Sequence, residues 1–152
     1  MTRLALMPTS LLALLTLVGG CSNSPPAIVP AEGTVTLNGK PLAGAEVRFV
    51  PMIQGFGGEY IASAITDESG HFELKVLGQS GACAVENKIT VSEGPMPDDA
   101  RGMSAAAQMK ANKFMAGLKN RPIPPAYGNL AQSPLTMTVT PDRKEYNLQL
   151  NR

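Results

Sequence analysis

Residues 34–49 read TVTLNGKPLAGAEVRF. Two alternating apolar runs flank a segment that holds two glycines and a lysine. Such a segment can cradle phosphate or simply reverse the chain. A phosphate loop of the Walker type spaces its glycines further apart, follows its lysine with serine or threonine, and opens a helix. Here Pro41 follows Lys40, and a strand-like run follows Gly44. Asn38-Gly39 is the dipeptide best suited to the positive φ angles of a two-residue hairpin turn. The stretch therefore reads as a turn. Val35 and Leu37 share one face of the strand before it, and Ala45, Val47 and Phe49 share one face of the strand after it.

Outward from this pair the same grammar repeats. After the glycine-rich loop MIQGFGGEY comes YIASAIT, with Ile61, Ser63 and Ile65 on one side and Tyr60, Ala62 and Ala64 on the other. DESG is a turn opened by an aspartate and closed by a glycine. HFELKV follows with Phe72, Leu74 and Val76 facing inward, then AVENKITVSEG, LTMTVTP and EYNLQL. Seven short, half-apolar strands separated by turns predict a mainly β fold, an antiparallel β-sandwich.

Residues 95–125 break the pattern. Alanine, methionine, lysine and glutamine dominate ARGMSAAAQMKANKFMAGLK, and all favour helix. A helix over about 98–119 is expected as an insertion between the fifth and sixth strands, capped by Asp98 or Asp99 and stopped by Pro122. Lys119 would suit the dipole at its far end. Ala107, Ala111, Phe114, Met115 and Leu118 form its apolar stripe. The stripe can cover the sandwich or meet a partner, and an alanine-rich face buries little area, so a mobile segment stays open as well.

The N-terminus reads as an export signal over 1–20: a positive start, MTR, then an uncharged run of about seventeen residues with no charged anchor beyond it. Val18-Gly19-Gly20-Cys21 resembles the bacterial lipobox, which implies cleavage before Cys21 and acylation of its sulfur. Two or three acyl chains hold a protein at a membrane almost permanently. Ser22 in the next position implies outer-membrane sorting if the source is Gram-negative. Residues 21–31, with three prolines, read as the lipidated cysteine and an extended tether to a domain spanning 32–151. Lipidation would leave Cys83 without a partner, expected as a small buried residue.

The strand motifs carry a further resemblance. GTVTLNGKPLAGAEVRFVP, ASAITDESGHFEL, KITVSEG and IPPAYGNLAQSPLTMTV closing on YNLQL are together similar to bacterial exported proteins with a carboxypeptidase-regulatory-like, or transthyretin-like (prealbumin-type), domain. The similarity covers about residues 32–150. It departs at GACAVENKITV, where Cys83 and Asn87 are unusual, and in the length of the helical insertion. The resemblance implies a seven-stranded Greek-key sandwich acting as a non-catalytic module, and it carries no functional residues over.

Composition narrows the function classes. With Arg3 lost in the leader, cations and acids balance at twelve each, which argues against nucleic acid as a partner. One histidine, His71, and Cys83 make a poor zinc set. They also argue against 5-hydroxyisourate hydrolase, a transthyretin-like enzyme with several histidines and a Tyr-Arg-Gly-Ser tail. TDESG has adjacent acids where an EF-hand alternates them, so an Asp67-centred turn is the plain account. Glu59, Asp67, Glu68 and Glu73 are the only acids dense enough to attempt acid–base chemistry, and they sit on separate turns and faces. No catalytic residues, metal ligands or cofactor site are expected; Cys21 is the one expected site, for lipidation. The expected function is a non-enzymatic, lipid-anchored binding or scaffolding module whose partner is an envelope protein or polysaccharide. The alternative is an envelope-associated hydrolase or a transport or secretion accessory subunit.

Overall fold

The computed structural model describes residues 24–55 and 57–152. Twelve strands occur in chain order: β1 (Ile28–Val29), β2 (Glu32–Leu37), β3 (Lys40–Pro41), β4 (Ala45–Pro51), β5 (Ala62–Ile65), β6 (His71–Glu73), β7 (Lys75–Val76), β8 (Gln79–Ser80), β9 (Ala82–Cys83), β10 (Glu86–Glu93), β11 (Thr136–Thr138) and β12 (Leu148–Leu150). Two helices, α1 (Ala105–Gly117) and α2 (Pro125–Gly128), lie between β10 and β11. The fold is mainly β, but among the described residues twelve strands form three sheets, where seven strands in two layers are expected from sequence. One sheet has the order β11-β10-β4-β5-β7-β8, a second has β12-β2-β3 with β6 also on β2, and β1 pairs with β9.

The turn at Asn38-Gly39 forms as expected, with φ of 51° and 75°. Its consequence differs. The reversed chain pairs with β2 through Lys40 and Pro41, and the Leu42 amide adds one last bond, to the Val35 carbonyl at 3.0 Å. Leu42, fully buried, then plugs the core, and the chain crosses to the other sheet, where β4 pairs with β5 and β10. The strands flanking the turn thus belong to different sheets. Val35 and Leu37 of one sheet and Val47 and Phe49 of the other join the same buried cluster. Thr66 stabilises the crossover: its hydroxyl donates to the Leu42 carbonyl at 2.6 Å and accepts the Ala45 amide at 2.9 Å.

HFELKV makes a second crossing. Phe72, Leu74 and Val76 are all buried, but β6 pairs with β2 while β7 pairs with β5. Leu74 is the point of transfer. Of the two faces of β5, the alanine face is the inner one: Ala62 is fully buried, and Ile65 is 46% exposed. β12 runs parallel to β2, an exception to the expected antiparallel pairing. Phe49 lies at the heart of the core, its ring 6.2 Å from those of Phe72 and Tyr146. Each such buried side chain contributes about 1.5–3 kcal/mol.

The insertion is shorter and more divided than its composition suggests. Asp98–Ala100 forms a single 3-10 turn, and Arg101 leaves it with extended backbone. Gly102, at φ 129°, then separates that turn from α1. Ser104, not Asp98 or Asp99, caps α1 by accepting the Ala107 amide at 3.1 Å. The helix ends at Gly117, so Lys119 and Pro122 lie beyond it. Of the expected stripe, Ala107 is buried, Ala111, Phe114 and Leu118 are half-buried, and Met115 is 49% exposed. α1 packs mainly on the 98–100 turn, whereas the short α2 packs on β10. The tether region also differs: Ile28 and Val29 pair with Cys83 and Ala82, so its last part is drawn into the fold.

Candidate functional site: a basic cleft at one pole

β2 runs from Glu32, which opposes Glu73 of β6, to Leu37, where the Asn38-Gly39 turn begins. β10, in the other sheet, runs from Glu86, adjoining the 82–85 segment, to Glu93. The ends of both strands, Leu37 and Glu93, are bonded to Asn120 and Arg121, and a concavity opens at that pole. Two adjoining clefts of about 950 and 680 Å³ share Ala43, Glu68, Gly117 and Leu118. The larger is lined on one side by Lys40, Pro41 and Ala43, and on the other by Leu118, Lys119 and Asn120. The smaller continues along α1 past Lys110, Lys113 and Phe114.

The walls are held in place by hydrogen bonds to main-chain carbonyls. Asn120, at φ 61°, donates from Nδ2 to the carbonyls of Leu37 and Lys40. Arg121 is committed on three sides. Its Nε donates to Glu93 Oε2 at 2.6 Å, Nη1 to the Lys119 carbonyl at 3.0 Å, and Nη2 to the Ala43 carbonyl at 2.8 Å. It is a tie, with its side chain only 14% exposed. The Arg152 amide donates to Asn38 Oδ1 at 3.1 Å, and its guanidinium reaches the Asn120 side chain at 3.4 Å.

Lys40, Lys113, Lys119 and Arg152 make no ion pair among the described residues. Of the acids at the clefts, Asp99 is bridged to Lys110 at 2.8 Å. That hydrogen bond, with the charge behind it, holds the Asp99 carboxyl below its ordinary range. Glu68 is the other acid and has no ion-pair partner among the described residues.

The four acids singled out by their density do not share this cleft. Only Glu68 lines it. Asp67 is occupied in its own turn, accepting from the Ser69 amide and hydroxyl and the His71 amide. Glu59 accepts the Gly57 amide at 3.2 Å, and Glu73 lies on β6. His71 sits half-buried at the start of β6. Among the described residues no group of three or more His, Cys, Asp or Glu side chains is gathered for a metal. Cys83 is buried, its thiol 3.6 Å from the Tyr60 carbonyl, and burial pushes its pKa up, away from the reactive thiolate. Cys21, the expected lipidation site, lies outside the described residues. No helix among the described residues is long and apolar enough to cross a membrane.

Lys119, Asn120, Arg121 and Arg152 were not singled out as site residues from sequence. The sequence assigns Lys40 to the turn alone. These residues are spread over 113 positions with no period, and only the fold brings them to one pole. Comparison with protein-family models, curated proteins and solved structures finds no match to this chain.

Proposed function

We propose that this protein is a non-enzymatic, lipid-anchored module of the cell envelope that holds an envelope ligand in the basic cleft. The observation that carries the reading is the placement of the cleft. The chain enters the fold at Ile28, where β1 pairs with β9, and β2 then runs to the Asn38-Gly39 turn at the cleft. Along β10 the eight residues from Glu86 to Glu93 correspond to about 24 Å of strand between the first and last Cα. A lipid on Cys21 would thus tether one pole and present the cleft at the other. In this reading β2, β4, β5, the β6–β7 run, β10, β11 and β12 are the seven strands of a transthyretin-like sandwich. The bacterial lipobox resemblance supports export and anchoring, to the outer membrane in a Gram-negative source.

Cell fractionation and co-sedimentation test this. Full-length protein is expected in the membrane fraction, and Cys21→Ser in the soluble fraction. Detergent-solubilised full-length protein is expected to sediment with insoluble envelope polymer. Ala43→Trp and Glu68→Trp, each placing an indole at a residue common to both clefts, are expected to abolish sedimentation while leaving the melting transition cooperative. Retained sedimentation in both filled variants would place binding elsewhere and overturn the reading.

A further inference from the structure

We infer that the cleft is built for an acidic glycan, a run of sugar rings bearing carboxylates. The inference rests on reading the cleft as the binding surface, and it names the ligand class. The two clefts share four residues and so form one channel along the C-terminal half of α1. Its lining is mainly carbon and positive charge, with Asp99 bridged to Lys110 and Glu68 the one acid without an ion-pair partner among the described residues. Pro41, Ala43, Phe114 and Leu118 offer carbon. Lys40, Lys113, Lys119 and Arg152 offer positive charge with no carboxylate partner among the described residues. A chain whose overall charge is only +1 therefore concentrates unpaired cations at one pole. Four such cations against the single unpaired carboxylate of Glu68 leave the concavity net positive, and a concave surface of that sign gathers counter-ions.

The mixture of chemistries selects among polyanions. A bare phosphate chain has no apolar face to lay on Pro41, Ala43 and Leu118. Single-stranded nucleic acid relies on successive aromatic platforms for its bases. Phe114 is the one aromatic among the residues lining these clefts. A uronic acid unit supplies both complements, a C–H ring face for the carbon and a carboxylate for the lysines. The membrane that would carry the lipid lies toward the opposite pole, which disfavours its head groups as the ligand.

The probe is an oligogalacturonate, titrated calorimetrically into detergent-solubilised full-length protein. Controls are a neutral oligosaccharide of equal length, polyphosphate and an oligo-dT strand. Oligogalacturonate is expected to bind, to weaken as salt rises, and to lose about tenfold or more in affinity in Lys40→Gln/Lys119→Gln. Both lysines are exposed and unpaired, so the variant is expected to melt with the wild type. Tighter binding of polyphosphate or oligo-dT, equal binding of the neutral chain, or an unaffected double variant would each overturn the assignment. If oligogalacturonate fails while Ala43→Trp still abolishes envelope sedimentation, the ligand class falls and the cleft reading stands. If Ala43→Trp and Glu68→Trp change nothing, the cleft reading falls with it.

Discussion

Asn120 donates from one side-chain nitrogen to two carbonyls of the β2–β3 turn, Leu37 at 3.0 Å and Lys40 at 3.1 Å. It does so from left-handed backbone, which asparagine tolerates better than most residues. The inserted segment is thereby joined to the turn that opens the cleft. Asn120→Ala removes both bonds and leaves a β-carbon in a left-handed conformation. The expected loss is about 2 kcal/mol. Asn120→Gly relieves the backbone and loses only the bonds, so it is expected to fall between alanine and wild type. Urea unfolding of the three proteins checks the order; an alanine variant as stable as wild type would contradict the tie.

Gly33 marks a second close approach, where β2 meets the chain entering β12. The Tyr146 amide donates to the Glu32 carbonyl at 2.8 Å, and a β-carbon on Gly33 would collide with the Tyr146 carbonyl. Backbone, not a flexible side chain, is in the way. Gly33→Ala is therefore expected to cost about 3 kcal/mol or more, or to prevent folding. Gly39→Ala is the contrast. Open space surrounds its added carbon, and only the positive φ of 75° opposes it, at about 1 kcal/mol. Thermal melts followed by circular dichroism should rank Gly33→Ala far below Gly39→Ala, and the reverse order would refute the steric account.

These two positions show what the sequence made legible. Strand faces were readable, because alternation is a local property: Val35, Leu37, Val47, Phe49, Phe72, Ile89, Val91, Leu148 and Leu150 are all buried. Sheet membership was not. Nothing in TVTLNGKPLAGAEVRF separates a full hairpin from a two-pair ladder followed by a crossing at Leu42, because both bury the same residues. The helix was readable by composition but not in extent, since Gly102 at φ 129° cuts it from the Asp98–Ala100 turn. The cleft was illegible for a different reason. Lys40, Lys119 and Arg152 are brought together by the parallel pairing of β12 with β2 and by the side chain of Asn120, both long-range events.

Tyr146 closes a small polar network at the edge of the apolar core. Fully buried, its hydroxyl donates to the Arg143 carbonyl at 2.8 Å and accepts the Thr140 amide at 3.0 Å. The 140–143 turn is thus fastened to the strand that follows it. Tyr146→Phe keeps the ring against Phe49 but strands both main-chain groups. The expected cost is about 1–3 kcal/mol. Tyr146→Leu loses the ring packing as well and is expected to cost more. Denaturant midpoints of the two variants provide the measurement, and a phenylalanine variant matching wild type would show that the hydroxyl contributes nothing.

Asp67 links stability to pH. One carboxylate oxygen accepts the Ser69 hydroxyl at 2.7 Å, the Ser69 amide at 2.8 Å and the His71 amide at 2.9 Å. The Ser69 hydroxyl bond, followed by the His71 amide bond, holds the Asp67 carboxyl below its ordinary range. A folded-state pKa depressed below the unfolded value gives stability that is present above the unfolded pKa of about 3.9, and it is lost as pH falls through the folded value. Asp67→Asn removes the titrating charge while retaining an acceptor oxygen. Its melting temperature is expected to lie below wild type at pH 7, with the gap closing under acid. Asp99 and Asp142 are also held low, so the wild-type curve alone does not isolate Asp67. The difference between wild type and Asp67→Asn does, because the other carboxylates are common to both. Ser69→Ala weakens the leading bond, so its acid-induced loss should begin at higher pH than in wild type. Wild-type and Asp67→Asn curves that stay parallel from pH 7 to below pH 3 would show that the Asp67 turn carries no net charge-dependent stability.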